Sequence, residues 1–547
     1  MRLSWRRRME KIRMTAREKA LTALWACLFS ACVTVGRHIT FAGNVKLKIT
    51  ENFMTPLTVR DIPVFALVAA LSAGLLTLAQ RYVKGSAAKA LDTDIKRMLK
   101  TGACFAGALL FAWLPYMLTV APGNIYGDSL ESIHQMLLHG HPTYNHHPMF
   151  YTLLVGVFLK IGTFFFQSAN IGVLIYSLFQ TCVMLFCIVC VLLLLVYRGV
   201  PKVLVGAAAA YYMFMPYFPN YAMTMWKDPM FSCMLLLLTL LLYMLYVRRT
   251  AGKWWFICYF VVGVGTMMMR NNGIYVFAAS SALAAFIMRK HAKRLLVSAA
   301  AALVVFVSLS SLATAVWNIH GDFVENLGIP LQQLGYTINN GGEFSEEDRE
   351  YLYTLMPEQV WNYAYRPCLV DTIKWNPQFN TEFLLETKGQ FFKVWLHGLV
   401  NNFGDYVDSY LLATHGFFAP FMQNLYGYMD VQMNDNPYGI GFMDLFEKLT
   451  GYSLMPILVN YPIIMGSGTL LWLCLAGMAL LCMRRWDGAV VYLPAMLNWA
   501  TVMVATPVAY SLRYVYIFAI GLPLFMALPL IEANRARKNG ESLDRNA

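Results

Sequence analysis

Long apolar runs recur along most of this chain, and they constrain its fold more than any other feature. A helix needs about 20 residues to cross a hydrocarbon core of about 30 Å. Because lipid offers no water to the backbone N–H and C=O groups, such runs cross as α-helices. The runs occupy residues 20–41, 62–81, 101–121, 148–167, 171–197, 203–222, 229–247, 254–269, 274–288, 295–317, 461–483, 489–506 and 513–531. The sequence therefore predicts an all-α polytopic membrane protein.

Composition and charge support this class and argue against another. Hydrophobic residues make up 58% of the 547 residues and charged residues 13%, whereas soluble domains carry about 25% charged residues. The formal charge of +13 is divided among short clusters between the apolar runs, as the positive-inside rule produces. This distribution predicts that the protein does not bind nucleic acid.

The basic clusters also predict which loops are cytoplasmic. They cover residues 1–19, 81–100, 248–253, 289–294, 484–485 and 535–538. If both termini are cytoplasmic, an odd number of crossings is excluded, so one of the thirteen runs does not cross. We expect residues 148–167 to form a re-entrant or interfacial helix, because this run is short, begins at a His-Pro pair and contains Lys160 and Gly162. Twelve crossings of the plasma membrane remain.

Four parts follow from this layout. Residues 1–100 hold a cytoplasmic segment and two membrane helices, and residues 101–317 form a transmembrane module whose first external loop is 122–147. Residues 318–460 are acidic and aromatic, which predicts a mainly helical extracytoplasmic domain. Residues 461–547 supply the last membrane helices and a basic cytoplasmic tail.

Two details of the predicted external domain follow from its residue pattern. Cys368 is its only cysteine, so the domain has no internal disulfide. Around residues 380–400, Phe, Leu and Trp recur at helical spacing, which predicts a helical segment lying on the membrane or on the helix bundle.

The first external loop carries the densest set of chemically useful side chains. If a helix begins near Asp128, residues 128, 131 and 135 share one face, so Asp128, Glu131 and Gln135 point together. Asp128 with Glu131 three residues later also fits a capping box, which starts a helix and needs no substrate. The loop ends in His146 and His147, which diverge by about 100° in a helix and cannot easily share one metal ion.

Three further external patches place cations at predicted helix ends. Lys227 beside Asp228 is either an interfacial pair at a helix start or a phosphate-binding cation next to an acid. Arg270 lies on the external side against the positive-inside trend, and it either snorkels or binds a phosphate or carboxylate. Arg513 and Tyr514 raise the same question at the last run. Three external cations beside acidic loops are typical of a site for an anionic lipid.

These patches, in this order, resemble the GT-C superfamily of membrane glycosyltransferases, which includes the protein mannosyltransferases and the aminoarabinose transferase of lipid A. The similarity is greatest to an uncharacterised bacterial group within it. It covers most of residues 100–530 through short motifs. They are Asn145-His146-His147-Pro148, Trp226-Lys227-Asp228-Pro229, Arg270-Asn271-Asn272-Gly273, Ile329-Pro330-Leu331-Gln332-Gln333 and Arg513-Tyr514. The two runs before residue 100 are additions to the minimal layout of the superfamily, and the external domain carries no motif that names an acceptor.

The resemblance implies inverting transfer of a sugar from a polyprenyl-phosphate donor to an extracytoplasmic glycan, lipid or protein. Asp128 would be the general base, with Asp228 and Glu131 as further catalytic carboxylates. Cations would stabilise the departing phosphate. The implied substrate-binding residues are His146, His147, Lys227, Arg270, Asn271, Asn272, Arg513 and Tyr514. No cofactor or metal site is required, although a divalent cation would be compatible.

Two other classes of function remain open at this point. A transporter or flippase for a lipid or glycolipid would also place charges at the membrane, but the sequence shows no paired broken helices in two halves. An assembly or anchoring protein would leave Asp128 and the external cations without a shared purpose.

Overall fold

The structure, a computed structural model, is built almost entirely of helices. It describes residues 14–44, 49–85, 94–248, 250–321, 323–422, 431–459, 465–505, 508 and 511–538. Within these residues, nine helices are long and apolar enough to cross a membrane, and four shorter apolar helices accompany them. The described part of each of the thirteen predicted runs overlaps one of these helices, which confirms the polytopic all-α class.

The elements follow in chain order. The first half contains α1 (Ala16–Arg37), β1 (Ile39–Asn44), β2 (Ile49–Met54), α2 (Asp61–Gly85), α3 (Ile95–Thr119), α4 (Gly127–Leu137), α5 (Met149–Phe166), α6 (Ala169–Tyr197), α7 (Lys202–Phe214), α8 (Tyr217–Ala222), α9 (Lys227–Val247), α10 (Lys253–Met269), α11 (Gly273–Ile287) and α12 (Ala292–Trp317). We call residues 318–460, which the sequence predicts to be external, the external region. It contains α13 (Gly328–Asn339), α14 (Glu346–Leu355), α15 (Glu358–Ala364), α16 (Asp371–Lys374), α17 (Thr381–Glu386), α18 (Lys388–Asn401), α19 (Phe403–Thr414), α20 (Leu445–Thr450) and α21 (Met455–Val459). The chain ends with α22 (Ser467–Cys482), α23 (Leu493–Val504) and α24 (Ile517–Lys538).

Three predicted boundaries were wrong. The run 20–41 ends as a helix at Arg37, and the chain then forms an antiparallel hairpin of β1 and β2 that the sequence analysis missed. The run 203–222 is broken between α7 and α8, because Pro216 lacks an N–H donor and disfavours a helical residue before it. The run 513–531 extends as α24 to Lys538, so the basic residues of the predicted tail begin within a helix.

Contacts between helix ends define a basic end of the bundle. Arg17 in α1 donates to the carbonyl of Cys482 at the end of α22 (2.8 Å). Asn534 in α24 donates to the carbonyl of Gly199, just after α6 (3.1 Å). Further arginines contact residues at this end, namely Arg198, Arg294, Arg485 and Arg535. The N-terminal end of α1 and the C-terminal end of α24 therefore both lie at the basic end. That this end faces the cytoplasm stays a prediction.

Helix α5 is one of the helices that are long and apolar enough to cross a membrane. It begins just after His147, which contacts Lys227 at the start of α9. Gln180 in α6 donates to the carbonyl of Thr224 near the same helix start (2.7 Å). Helices α5 and α6 therefore both approach the start of α9. The expectation that residues 148–167 do not cross the membrane stays a prediction.

The external region packs around its own apolar core. Leu331, Leu352, Leu355, Trp361 and Ile373 are fully buried within one cluster contributed by α13 to α16. Residues 380–400 form α17 and α18, so the predicted helical segment is confirmed, while its contact with a membrane stays a prediction.

Hydrogen bonds and an isolated bridge hold this region against the end of the bundle opposite the basic end. Asn145 donates its backbone N–H to the carbonyl of His320 (2.9 Å). Leu369 forms an isolated antiparallel bridge with Val508. The Tyr410 hydroxyl donates to the carbonyl of Met503 at the end of α23 (3.2 Å). The external region therefore lies over the helix ends where the predicted site residues are found.

Candidate functional site

Helices α4 and α9 begin side by side, although about 100 residues separate them. The backbone N–H of Asn124 donates to the carbonyl of Met223 (2.8 Å), and that of Met225 donates to the carbonyl of Asn124 (3.2 Å). This parallel pairing aligns the two segments that lead into the helices. Asp128 is consequently the second residue of α4 and Asp228 the second residue of α9.

Two aromatic rings and two helix dipoles also act at the starts of α4 and α9. Tyr126 and Trp226 each precede the first helical residue, and their ring centroids are 4.5 Å apart. The positive end of a helix dipole favours a carboxylate in the first turn. Both helix starts therefore suit an ionised aspartate, and the ring contact keeps them together.

The capping-box interpretation of Asp128 and Glu131 was wrong. The residue before the helix is Tyr126, and its backbone N–H donates to Ser129 Oγ (3.4 Å). The same Ser129 hydroxyl donates to the carbonyl of Met225 (2.6 Å), which ties α4 to the segment before α9. Ser129 therefore caps the start of α4 and links it to the segment before α9, so the Asp128 carboxylate can make other contacts.

Glu131 and Gln135 turn toward the rest of the loop. Glu131 accepts a hydrogen bond from the Tyr144 hydroxyl. Gln135 accepts one from the backbone N–H of Thr143 (3.0 Å). The structure therefore gives Glu131 a bracing contact within the loop and does not pair it with the cations that contact Asp128.

Three cations converge on the two aspartates. Arg513 Nη1 lies 2.9 Å from Asp128 Oδ2, and Lys227 Nζ lies 3.6 Å from the same oxygen. Arg270 Nη1 lies 2.7 Å from Asp228 Oδ1. We call these five residues the polar cluster. With every member ionised, three positive and two negative charges leave the cluster with one excess positive charge.

Tyr514 joins the two halves of the polar cluster. Its hydroxyl accepts a hydrogen bond from Arg513 Nη2 (2.8 Å). The guanidinium carbons of Arg513 and Arg270 each lie 4.8 Å from the centre of its ring. Since aromatic faces attract cations, Tyr514 holds both arginines in place.

The two aspartates differ in exposure. The Asp128 side chain is 33% exposed and that of Asp228 1% exposed. Burial raises the pKa of Asp128, but the charges of Arg513 and Lys227 outweigh it and hold this pKa well below the usual range. Asp128 is therefore a partly accessible anion at neutral pH, while Asp228 is enclosed with Arg270.

Some buried donors near the cluster have no acceptor. Within the described residues, neither Nε of Arg513 nor Nε1 of Trp226 has a hydrogen-bond partner. The Arg513 guanidinium lies over the Trp226 ring, 4.9 Å from its centre. Because buried polar groups are nearly always paired in folded proteins, these donors favour a ligand that brings acceptor oxygens.

The two histidines extend the cluster toward the external region. Lys227 Nζ lies 2.8 Å from His147 Nδ1. Burial, followed by the Lys227 charge, lowers the pKa of His147 well below its ordinary value, so the ring is neutral. Lysine only donates, so Nδ1 accepts and the ring proton is on Nε2. The His146 ring packs against the His147 ring, with 4.5 Å between their centres.

Glu325 and Lys374 form an ion pair in the external region, and Glu325 contacts His146. The sequence did not indicate this pair. Glu325 Oε1 lies 3.4 Å from His146 Nδ1 and 2.9 Å from Lys374 Nζ. Lys374 is 1% exposed and also pairs with Asp371 (3.0 Å). Burial raises the pKa of Glu325, but hydrogen bonding to His146 and the Lys374 charge lower it to about 2. No sequence signal separates these residues from ordinary surface charges.

Two predicted binding residues brace the bundle instead of joining the polar cluster. Asn271 Nδ2 donates to the carbonyl of Asn145 (3.0 Å). Asn272 Nδ2 donates to Thr501 Oγ1 (2.8 Å) and to Asn498 Oδ1 (3.2 Å). Their contacts connect the loop before α11 to the external loop and to α23. A role for either in binding substrate stays a prediction.

Comparison with known proteins gives a family without a stated activity. No curated protein and no solved structure matches the chain. The sequence model of one family, described as a family of unknown function (DUF6020), matches residues 133–544. This stretch begins just after Asp128 and includes the other four residues of the polar cluster. Because it covers more than half of the chain, the protein belongs to the DUF6020 family.

Proposed function

We propose that this protein is an inverting membrane glycosyltransferase that transfers a sugar from a polyprenyl-phosphate donor to an extracytoplasmic acceptor. The observation that carries the proposal is the polar cluster itself. Its two carboxylates and three cations come from four separate stretches of the chain and meet at one end of the bundle. The bundle end opposite the basic end would then face outward, and both termini would be cytoplasmic.

Asp128 is the general base in this proposal. An acceptor hydroxyl attacks the anomeric carbon, the bond from that carbon to the phosphate oxygen breaks, and the hydroxyl proton passes to a carboxylate oxygen. One displacement inverts the configuration at the anomeric carbon. The partial exposure of Asp128 supports this role, because the base must lie within hydrogen-bond reach of the acceptor.

The cations act on the leaving group. Negative charge grows on the lipid phosphate as the glycosidic bond breaks, and fixed cations stabilise it without reorganisation. Arg513 and Lys227 already lie close together through their shared contact with Asp128. Nε2–H of His147 is a further donor for a phosphate or sugar oxygen. The scheme needs no cofactor, since these side chains supply the positive charge.

Asp228 has a different part from the one that the resemblance implied. Its carboxylate is 1% exposed and paired with Arg270. A buried carboxylate of this kind positions its arginine and cannot easily reach an acceptor hydroxyl. We therefore assign proton transfer to Asp128 alone and a positioning role to Asp228.

The test is transfer of radiolabelled sugar from polyprenyl-phosphate-linked hexoses, each assayed with the purified full chain in lipid nanodiscs and a membrane extract as acceptor. Wild type should transfer label, and Asp128→Asn should lose about 10²- to 10⁴-fold in rate. The matched control is Asp487→Asn. Asp487 is 29% exposed and paired with Arg485 (3.0 Å) at the basic end.

Three outcomes are informative. Loss in Asp128→Asn with full activity in Asp487→Asn supports the proposal. Equal transfer by wild type and Asp128→Asn removes Asp128 as the base. Absence of transfer with every donor, combined with movement of labelled lipid across proteoliposome membranes, favours a lipid transporter instead.

A further inference from the structure

The carboxylate of Asp128 occupies a place that suits a larger anion. It contacts Arg513 and Lys227, whose side chains are only 12% and 14% exposed, while its own is 33% exposed. The cations are therefore fixed in the protein, whereas the anion lies on their accessible side. A carboxylate in this position is the group that an incoming anion meets first.

The cluster also has more donors than Asp128 can use. Arg513 places Nη1 on Asp128 and Nη2 on Tyr514, and its Nε has no partner within the described residues. Nε1 of Trp226 is likewise unpaired there. A polyprenyl phosphate, which is a monoester, presents three terminal oxygens and more negative charge than a carboxylate, while the sugar-linked donor is a diester with two terminal oxygens and one negative charge. Both forms offer acceptors to the unused donors, and the monoester also matches the excess positive charge better than Asp128 does.

We propose that Asp128 is an internal ligand of the phosphate site, and that a polyprenyl phosphate displaces its carboxylate from Arg513 and Lys227 when it binds. The identity of the lipid rests on the proposed function, whereas the competition between carboxylate and phosphate is tested without any transfer reaction.

The displacement has a chemical consequence. An aspartate held between two cations is a weak base, because their charges stabilise its ionised form. Once the phosphate takes over both cations, the carboxylate regains basicity beside the reacting sugar. Asp128 therefore becomes a useful base only after the donor is in place.

Asp228 should not compete with a phosphate in the way that Asp128 does. Its carboxylate is enclosed with a single cation, Arg270. An incoming phosphate has no accessible side from which to replace it. The two aspartates should therefore respond in opposite ways when their charges are removed, since only Asp128 competes with the ligand.

The experiment measures binding of radiolabelled polyprenyl phosphate to the full chain in neutral-lipid nanodiscs. Asp128→Asn should bind about fivefold more tightly than wild type, equivalent to about 1 kcal/mol. Asp128→Ser is measured in parallel, so that the answer does not depend on one variant folding. Arg513→Gln should bind at least about tenfold more weakly, and Asp487→Asn should bind as wild type does.

Two further probes separate the sources of the phosphate. Inorganic phosphate should compete if the site recognises the phosphate group alone, and polyprenyl alcohol should not. If inorganic phosphate fails to compete while polyprenyl phosphate binds, the lipid chain supplies part of the affinity. Binding that is equal or weaker in both Asp128 variants overturns the proposed displacement.

The outcome is independent of the transfer assay. Tighter binding in the Asp128 variants without transfer by wild type would retain the phosphate site and reject the glycosyltransferase. Transfer by wild type without tighter binding in the variants would retain the enzyme and reject the displacement.

Discussion

Asp128 and Asp228 are each the second residue of a helix that follows an aromatic residue, and their helices start in contact. The surroundings differ. Asp128 is a third exposed and contacts two cations, whereas Asp228 is enclosed with one. Because the local geometry is shared, the difference in role comes from burial and from the number of cations. The start of α9, with Asp228, stabilises the structure, whereas the start of α4, with Asp128, is accessible to a substrate.

Removing each carboxylate in turn should produce the largest difference between the two aspartates, and the difference should be in the free energy of unfolding. Asp228→Leu leaves Arg270 buried without its partner and should cost about 3–5 kcal/mol. Asp128→Leu also removes an anion from two cations of low exposure, but Arg513 keeps its contacts with Tyr514 and Trp226 and Lys227 keeps its contact with His147. Because Asp128 itself is one-third exposed, its loss should cost less, about 1 kcal/mol. Thermal unfolding of both variants in detergent, followed by circular dichroism, gives the comparison. Equal losses would show that exposure does not distinguish the two aspartates.

Arg513 and Arg270 should differ in their effect on sugar transfer, and this is the second largest expected effect. Arg513→Gln should lower kcat/KM about 10²- to 10³-fold, since it removes a fixed charge from the leaving phosphate, while the protein stays folded. Arg270→Gln should instead lower the yield of folded protein, because it leaves Asp228 buried and unpaired. Arg485→Gln at the basic end is the control. Full transfer by Arg513→Gln would contradict the assignment of Arg513 to the leaving group.

The positions of the helices could be predicted because a membrane crossing is recorded in local sequence. Each apolar run is read from its own length and composition. The exceptions also have local causes, such as Pro216, which breaks a predicted run into α7 and α8. The hairpin of β1 and β2 was missed because its first strand continues the apolar run of α1.

The pairing of side chains could be predicted only in part. The sequence indicated Asp128, Lys227, Asp228, Arg270 and Arg513 as site residues, because each is an external charge at a helix end. No pattern indicated which cation contacts which acid, since 385 residues separate Arg513 from Asp128. One signal was available and unused, namely an aromatic residue two positions before each aspartate.

The pH dependence of stability tests whether His147, which contacts Lys227 of the polar cluster, is buried in its neutral form. Its pKa is lowered by burial, so the folded protein holds it neutral while the unfolded chain takes up a proton below about pH 6.5. Its stabilising effect is therefore complete above that pH and is lost as pH falls, at up to about 1.4 kcal/mol per pH unit. Unfolding midpoints from pH 7 to pH 5 should fall less steeply in His147→Gln than in wild type.

A second buried histidine provides the control for this slope. Burial lowers the pKa of His415 to about 4, so it acts in the same direction within the same pH window. His415→Gln should remove a similar share of the slope, and the double variant should remove both shares. An unchanged slope in His147→Gln would show that His147 has the same pKa in the folded and the unfolded protein.

Ser129 tests the link between the two helix starts, and its expected effect is the smallest. Ser129→Ala removes the bond to the carbonyl of Met225 (2.6 Å) and the acceptor for the Tyr126 N–H, at about 1 kcal/mol. Ser132→Ala is the matched control, because among the described residues its hydroxyl bonds only to the carbonyl of Asp128 in its own helix (3.2 Å). A larger loss of stability in Ser129→Ala means that the link holds the two aspartates in register. Equal losses would leave the parallel backbone pairing and the aromatic contact as the groups that keep α4 and α9 together.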